Sequence, residues 1–139
     1  MNAHTLPYFT TEVKAGFPSP ALDYIEDRID LNDIFIKHPH ATFIVECTGD
    51  SMIDAFIPPK AKLIVDRSLN ATNGDIVLAI VNGEFTVKYL QKNSIKTKLI
   101  PANKKYQDIE MQEGMQMEVW GVVTGIMIDP RDLKTCMRW

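Results

Sequence analysis

The sequence predicts a mainly β fold, a strongly bent antiparallel sheet or partial barrel preceded by a flexible N-terminal arm. Three observations carry this expectation. Short runs of β-branched and aliphatic residues recur at strand length from Thr42 onward. Two of them, 75–81 and 84–91, flank Asn82-Gly83, whose two positions tolerate positive φ and so close a two-residue hairpin. The last run, 117–128, is punctuated by Gly121 and Gly125, residues that mark bulges or bends in a curled sheet.

Taken in order, residues 1–20 hold Pro7, Gly16, Pro18 and Pro20 with little periodicity, which predicts an extended arm rather than a packed element. Residues 21–139 form the remaining, β-rich domain. At its start Leu22, Ile25, Ile29 and Ile34 recur near helical spacing among acidic and basic residues, which predicts one or two short amphipathic turns. Asp30 is placed to cap the second, Leu31 to Phe35, and Pro39 ends it. Strands follow at 43–45, at 62–66 after Pro58-Pro59, at 75–81, at 84–91, at 95–101 and at 117–128. No internal repeat or low-complexity tract is present.

Composition narrows the function classes. The chain has 139 residues, enough for one core without disulfides or metals. Its formal net charge of −3 argues against a dedicated nucleic-acid binder, because neutralising phosphates needs surplus Lys and Arg. Cys47 and Cys136 are too few for a disulfide framework and form no Cys-x-x-Cys pair. His4, His38 and His40 have no metal-ligand spacing with them, so neither metal nor cofactor is expected. Residues 1–9 lack a basic, apolar secretory pattern, and no run approaches the length of a spanning helix. A cytoplasmic protein without membrane partners is the expectation.

The candidate chemistry lies in three segments. Gly49-Asp50-Ser51-Met52 directly follows the first strand of the β-rich region. Such a turn can present the Ser51 hydroxyl beside outward-pointing backbone N–H groups, the parts that acyl transfer needs, although ordinary turn chemistry uses the same residues. A serine needs a base, and no histidine stands in a partnering context. The other option is a lysine kept neutral by burial. Bringing a lysine from about 10.4 to roughly 7 takes on the order of 4–5 kcal/mol against the charged form, so the candidate must sit in an apolar strand.

Lys88 satisfies that requirement within Phe85-Thr86-Val87-Lys88-Tyr89-Leu90. With Asn82-Gly83 as the loop, Val81 faces Glu84, Ala79 faces Thr86 and Val77 faces Lys88. The neighbours on the Lys88 face are then Val77, Ala79, Thr86 and Leu90, with no carboxylate among them. The alternative for Lys88 is an ammonium snorkelling to solvent. The third segment is Val13-Lys14-Ala15-Gly16-Phe17-Pro18. An Ala-Gly bond in an extended arm can enter a protease cleft as a strand, because Gly16 offers no Cβ against attack on the Ala15 carbonyl. A plain tail has the same composition.

These three segments, in this order, resemble the LexA/UmuD family of self-cleaving serine/lysine proteases of the peptidase S24 type. The likeness joins Ala15-Gly16, Gly49-Asp50-Ser51-Met52 and Phe85-Thr86-Val87-Lys88, and extends through Arg28-Ile29-Asp30-Leu31-Asn32, Gly74-Asp75-Ile76-Val77 and Val119-Trp120-Gly121-Val122-Val123. Only fifteen residues precede the Ala15–Gly16 bond, too few for a DNA-binding domain, so the chain is similar to the short-armed UmuD branch rather than to LexA repressors.

The resemblance implies a fold of the LexA C-terminal-domain type. It also implies Ser51 as nucleophile, Lys88 as base, the backbone N–H groups of Asp50 and Ser51 as oxyanion hole, and cleavage between Ala15 and Gly16. The implied biology is the SOS response to DNA damage. RecA nucleoprotein filaments would stimulate self-cleavage, and the processed homodimer would serve a UmuC-type Y-family polymerase in mutagenic translesion synthesis, without specific DNA binding of its own. Residues 16 to 42 can span up to roughly 90 Å when extended, so cleavage within a chain and between subunits are both open. Three alternatives stand beside this one. The first is a non-cleaving binding module of the same fold. The second is the C-terminal domain of a LexA-type or phage-type repressor, against which Met1 is read as the start of a complete chain. The third is a trans-acting signal peptidase, which would need a membrane anchor.

Overall fold

The computed structural model describes residues 4–9 and 26–136. The chain divides into two compact units, Met1–Lys37 and His38–Trp139.

In the first unit, strand β1 (Leu6–Phe9) pairs antiparallel with β2 (Glu26–Ile29), Leu6 opposite Ile29 and Phe9 opposite Glu26. Arg28 ties the pair together by donating to the Thr5 hydroxyl (3.0 Å) and carbonyl (2.9 Å). The helical spacing read through Ile29 therefore does not give a helix at 26–29. An isolated turn fixes several dihedrals for one hydrogen bond, whereas the β1 partner supplies backbone bonds along the segment. The second expected turn does form, as helix α1 (Leu31–Phe35), with the Asp30 carboxylate accepting the Asn32 N–H. Residues 10–25, including Ala15, Gly16 and most of the expected arm, lie outside the described residues.

The second unit is a seven-stranded antiparallel sheet. Its strands are β3 (Thr42–Glu46), β4 (Lys62–Asp66), β5 (Ile76–Val81), β6 (Glu84–Lys92), β7 (Thr97–Ile100), β8 (Ile109–Glu110) and β9 (Met117–Met127), in the spatial order β3-β4-β9-β5-β6-β7-β8. The long C-terminal strand β9 thus lies inside the sheet between β4 and β5, and β3 and β8 are edges, so the sheet does not close into a barrel. Within this sheet, only the short β8 was left unmarked by the sequence patterning. Asn82 and Gly83 both have positive φ (49° and 84°), as a two-residue hairpin requires. The β5–β6 register is the predicted one, with Val81 opposite Glu84, Ala79 opposite Thr86 and Val77 opposite Lys88.

Strand β9 carries an irregularity against each neighbour. Its pairing with β4 steps from Gly125 to Val123, and its pairing with β5 steps from Gly121 to Val119. Each step leaves one residue, Thr124 or Trp120, unopposed, and such bulges bend a strand and increase its twist. Gly121 is also a close-approach site. A Cβ there would lie 2.5 Å from Val65 Cγ1 and 3.3 Å from the Asp66 carbonyl oxygen.

The consequence is a sheet that curls over itself. Strands β3 and β6 are four steps apart in the order, about 19 Å on a flat sheet. Yet Phe43 of β3 and Phe85 of β6 both pack edge-on against Trp120 of β9, with ring centroids 5.0 and 5.3 Å away. Apolar side chains fill both faces of β5. Leu78 joins Met52, Ile57, Leu63 and Val65 on one side, while Val77 and Ala79 join Leu90 and Leu99 on the other. Each fully buried Leu, Ile or Val of this set contributes about 1.5–3 kcal/mol by leaving water.

Candidate active site

The strand β3 ends at Glu46, and the chain then turns through Gly49-Asp50-Ser51 into a short 3₁₀ helix, Ile53–Ala55. Met52, buried immediately after Ser51, anchors this turn in the core. Curling of the sheet brings β6 across to it. Lys88 Nζ lies 3.0 Å from Ser51 Oγ, although 37 residues separate them in the chain. The same amine contacts Thr86 Oγ1 at 2.6 Å and the Val87 carbonyl oxygen at 3.0 Å.

Lys88 is only 8% exposed, so the snorkelling alternative does not hold. Burial pushes its pKa below the ordinary lysine value, opposed by the nearby Cys47 sulfur. None of its hydrogen-bond partners is a carboxylate. All three neighbours are oxygens: a charged ammonium can donate to each of them, whereas a neutral amine donates to two, Thr86 Oγ1 and the Val87 carbonyl, and offers its lone pair to the Ser51 hydroxyl. The apolar surround expected from the strand pattern is therefore modified at the amine itself, where Thr86 and a backbone carbonyl provide polar contacts.

Beside the pair lies a cleft of about 520 Å³, lined among others by Phe43, Cys47, Leu78, Phe85, Val87 and Trp120. Its apolar walls limit hydration of the amine and leave room for a peptide segment.

Sequence reasoning missed the segment that holds the Gly-Asp-Ser turn from behind. The Asn103 side-chain amide donates to the Asp50 carbonyl (2.9 Å), the Ala102 N–H donates to the Ser51 carbonyl (2.8 Å), and the Tyr106 hydroxyl donates to the Asp50 carboxylate (2.5 Å). That last bond raises the Tyr106 pKa above its ordinary value. The Asp50 carbonyl also accepts from the Ile53 N–H at 3.2 Å. Because the peptide is planar and trans, the Ser51 N–H points opposite to the Asp50 carbonyl. Neither the Asp50 nor the Ser51 N–H has a hydrogen-bond partner among the described residues. Nothing in the Pro101–Tyr106 stretch announces this role, since its bonds reach back more than fifty positions.

Ala15 and Gly16 lie outside the described residues. Among the described residues no cluster of His, Cys, Asp and Glu could hold a metal ion, and no helix is long and apolar enough to cross a membrane.

Comparison with known proteins gives a consistent set of relatives. The family described as Peptidase S24-like matches residues 7–124. Protein MucA of Salmonella typhimurium is 38% identical over 127 residues, covering 91% of this chain and 86% of its own. Protein SamA of Salmonella typhimurium strain LT2 is 42% identical over 123 residues, covering 88% of this chain and 85% of its own. The LexA repressor of Clostridium perfringens is 36% identical over 115 residues, which are 83% of this chain and 55% of the repressor.

Proposed function

This chain belongs to the peptidase S24-like family, in its UmuD-type branch, and from that membership we propose that it is a serine endopeptidase that cuts its own Ala15–Gly16 bond. The observation that carries the proposal is the 3.0 Å approach of a buried lysine amine, with no carboxylate among its partners, to the Ser51 hydroxyl.

In the proposed reaction neutral Lys88 takes the Ser51 proton as Oγ attacks the Ala15 carbonyl carbon. Charge developing on the Ala15 oxygen is met by the backbone N–H groups of Asp50 and Ser51. Lys88 returns the proton to the Gly16 nitrogen as the C–N bond breaks, leaving Ala15 esterified to Ser51. The amine then deprotonates a water molecule, which attacks the ester. The products are a fragment ending in Ala15 and one beginning at Gly16, with one water consumed. Residues 1–20 act as the substrate arm and residues 21–139 as the protease domain that receives it.

The wider role rests on the UmuD-type relationship. A RecA nucleoprotein filament stabilises the docked arm and so accelerates cutting. The processed homodimer then serves a UmuC-type Y-family DNA polymerase during SOS mutagenesis in the cytoplasm, with no direct sequence-specific contact to DNA.

Mass spectrometry of the purified chain before and after alkaline incubation tests the chemistry. Loss of residues 1–15 is expected, with none in Ser51→Ala. An arm left intact in both would favour a binding module that keeps the fold without cutting.

A further inference from the structure

We propose that Asn103 is a positioning residue of the acyl-transfer site, holding the Asp50–Ser51 peptide so that the Ser51 N–H is presented to the developing oxyanion. The proposal rests on the reading of Ser51 as nucleophile, and it adds a residue that touches neither the nucleophile's hydroxyl nor the base.

The argument is one of peptide geometry. A peptide plane can rotate about its flanking bonds, and the direction of its N–H is set by whatever holds its carbonyl. The Asp50 carbonyl is held by two donors, the Asn103 amide at 2.9 Å and the Ile53 N–H at 3.2 Å. The first is the shorter, and it comes from outside the turn. The next carbonyl, that of Ser51, is held by the Ala102 N–H at 2.8 Å, so adjacent residues of one segment grip successive carbonyls of the nucleophile turn. Asn103 is itself held in place, because its Oδ1 accepts the Lys105 N–H at 3.0 Å. Its amide is thus aimed, and the acceptor end is occupied elsewhere. The Ser51 N–H, on the opposite side of the gripped plane, has no partner among the described residues, as an oxyanion donor awaiting substrate requires.

Two substitutions separate donation from shape. Asn103→Asp keeps the size and the acceptor for the Lys105 N–H but removes the donor. Asn103→Ala removes both and adds no charge. Self-cleavage of the full chain is followed by mass spectrometry from neutral to strongly alkaline pH, with thermal unfolding of each variant alongside. Both variants are expected to lose roughly 10²-fold in the plateau rate at high pH, the cost of misaligning one oxyanion donor. In Asn103→Ala the pH midpoint of the rate, which Lys88 sets, is expected to stay where it is in the native chain.

A native plateau in Asn103→Asp overturns the proposal, because donation is then unnecessary. A shifted midpoint in Asn103→Ala, or absence of a cooperative unfolding transition in both variants, also overturns it, since Asn103 then acts through the base or the fold. If the native chain does not cut itself, or Ser51→Ala does, the reading of Ser51 falls and the proposal falls with it. Native cutting, abolished in Ser51→Ala and undiminished in Asn103→Asp, removes the proposal alone.

Discussion

Lys88 Nζ lies closer to Thr86 Oγ1, at 2.6 Å, than to Ser51 Oγ, at 3.0 Å. Two residues apart on β6, Thr86 and Lys88 share a face of the strand, and the hydroxyl orients the amine before any substrate arrives. Replacing it with the near-isosteric valine frees the amine to rotate. Thr86→Val is expected to fold normally and to slow self-cleavage about 10–100-fold, the usual cost of a reacting group displaced by about an ångström. Thr86→Ser, which keeps the acceptor, is expected to restore most of the rate. Timed mass spectrometry of the fragment starting at Gly16 reads both.

Burial holds the Lys88 pKa below the ordinary value, which determines the sign of two pH effects. In the proposed reaction the reactive species is the neutral amine. Self-cleavage is therefore expected to rise about tenfold per pH unit below that depressed pKa and to level off above it. A rate flat from neutral to strongly alkaline pH would exclude Lys88 as the titrating base. Stability follows the same proton. Between the folded and the unfolded pKa the unfolded chain holds the extra proton, so this group's contribution becomes more favourable as pH rises. Lys88→Met, similar in size and uncharged, is expected to raise the thermal midpoint at neutral pH while abolishing cutting.

Asp66 is a buried carboxylate, 2% exposed, at the end of β4. Burial alone would raise its pKa, but hydrogen bonds from the Ser68 hydroxyl and from His38, a further bond from the Ser68 N–H and the proximity of His38 leave it lowered. The distances are 2.6 Å to Ser68 Oγ, 2.6 Å to His38 Nδ1 and 2.8 Å to the Ser68 N–H. A depressed carboxylate pKa contributes stability that is present above the unfolded value of about 3.9 and is lost as pH falls through the folded one. Asp66→Asn is expected to cost about 2–3 kcal/mol at pH 7, the scale of hydrogen bonds to a buried charge. In urea titrations the gap to the native chain should close on acidification. A gap independent of pH would mean that the charge on Asp66 does not stabilise the fold.

Gly121 has no room for a side chain. The atom nearest to a new Cβ, at 2.5 Å, belongs to Val65, which is fully buried and stiff at χ1, and the Asp66 backbone oxygen stands at 3.3 Å. Gly121→Ala is expected to destabilise by about 1–3 kcal/mol, as overpacking of a filled core does. An unchanged unfolding midpoint would show that β4 and β9 can separate without cost. The equivalent change at Gly49, where nothing lies within 4 Å of a new Cβ, is the control, with a small effect on stability expected.

Much of the β-rich region was legible because its signals are local. A run of β-branched and aliphatic residues at strand length is a property of the segment itself, so β4, β5, β6 and β9 could be read from their own residues. The Asn82-Gly83 turn carried further, because a two-residue loop dictates every pairing up the ladder, including Lys88 opposite Val77. Even the bulges of β9 had a local marker in Gly121 and Gly125. The helical turn expected to run through Ile29 failed for the complementary reason. Its segment is too short to choose its own structure, and the choice fell to a partner strand at Leu6–Phe9 that spacing does not reveal.

The sequence alone thus determined the strands, the hairpin register, the Gly-Asp-Ser turn and the pair of residue types suited to serine/lysine chemistry. Only the tertiary structure decided that Lys88 is buried beside Ser51, that Asn103 and Ala102 grip the turn's carbonyls, and that Asp66 finds His38 and Ser68. Backbone periodicity and turn chemistry act over a few residues and leave a pattern in the chain. Contacts across a curled sheet depend on the accumulated bend of several strands, and no single stretch of residues encodes that bend.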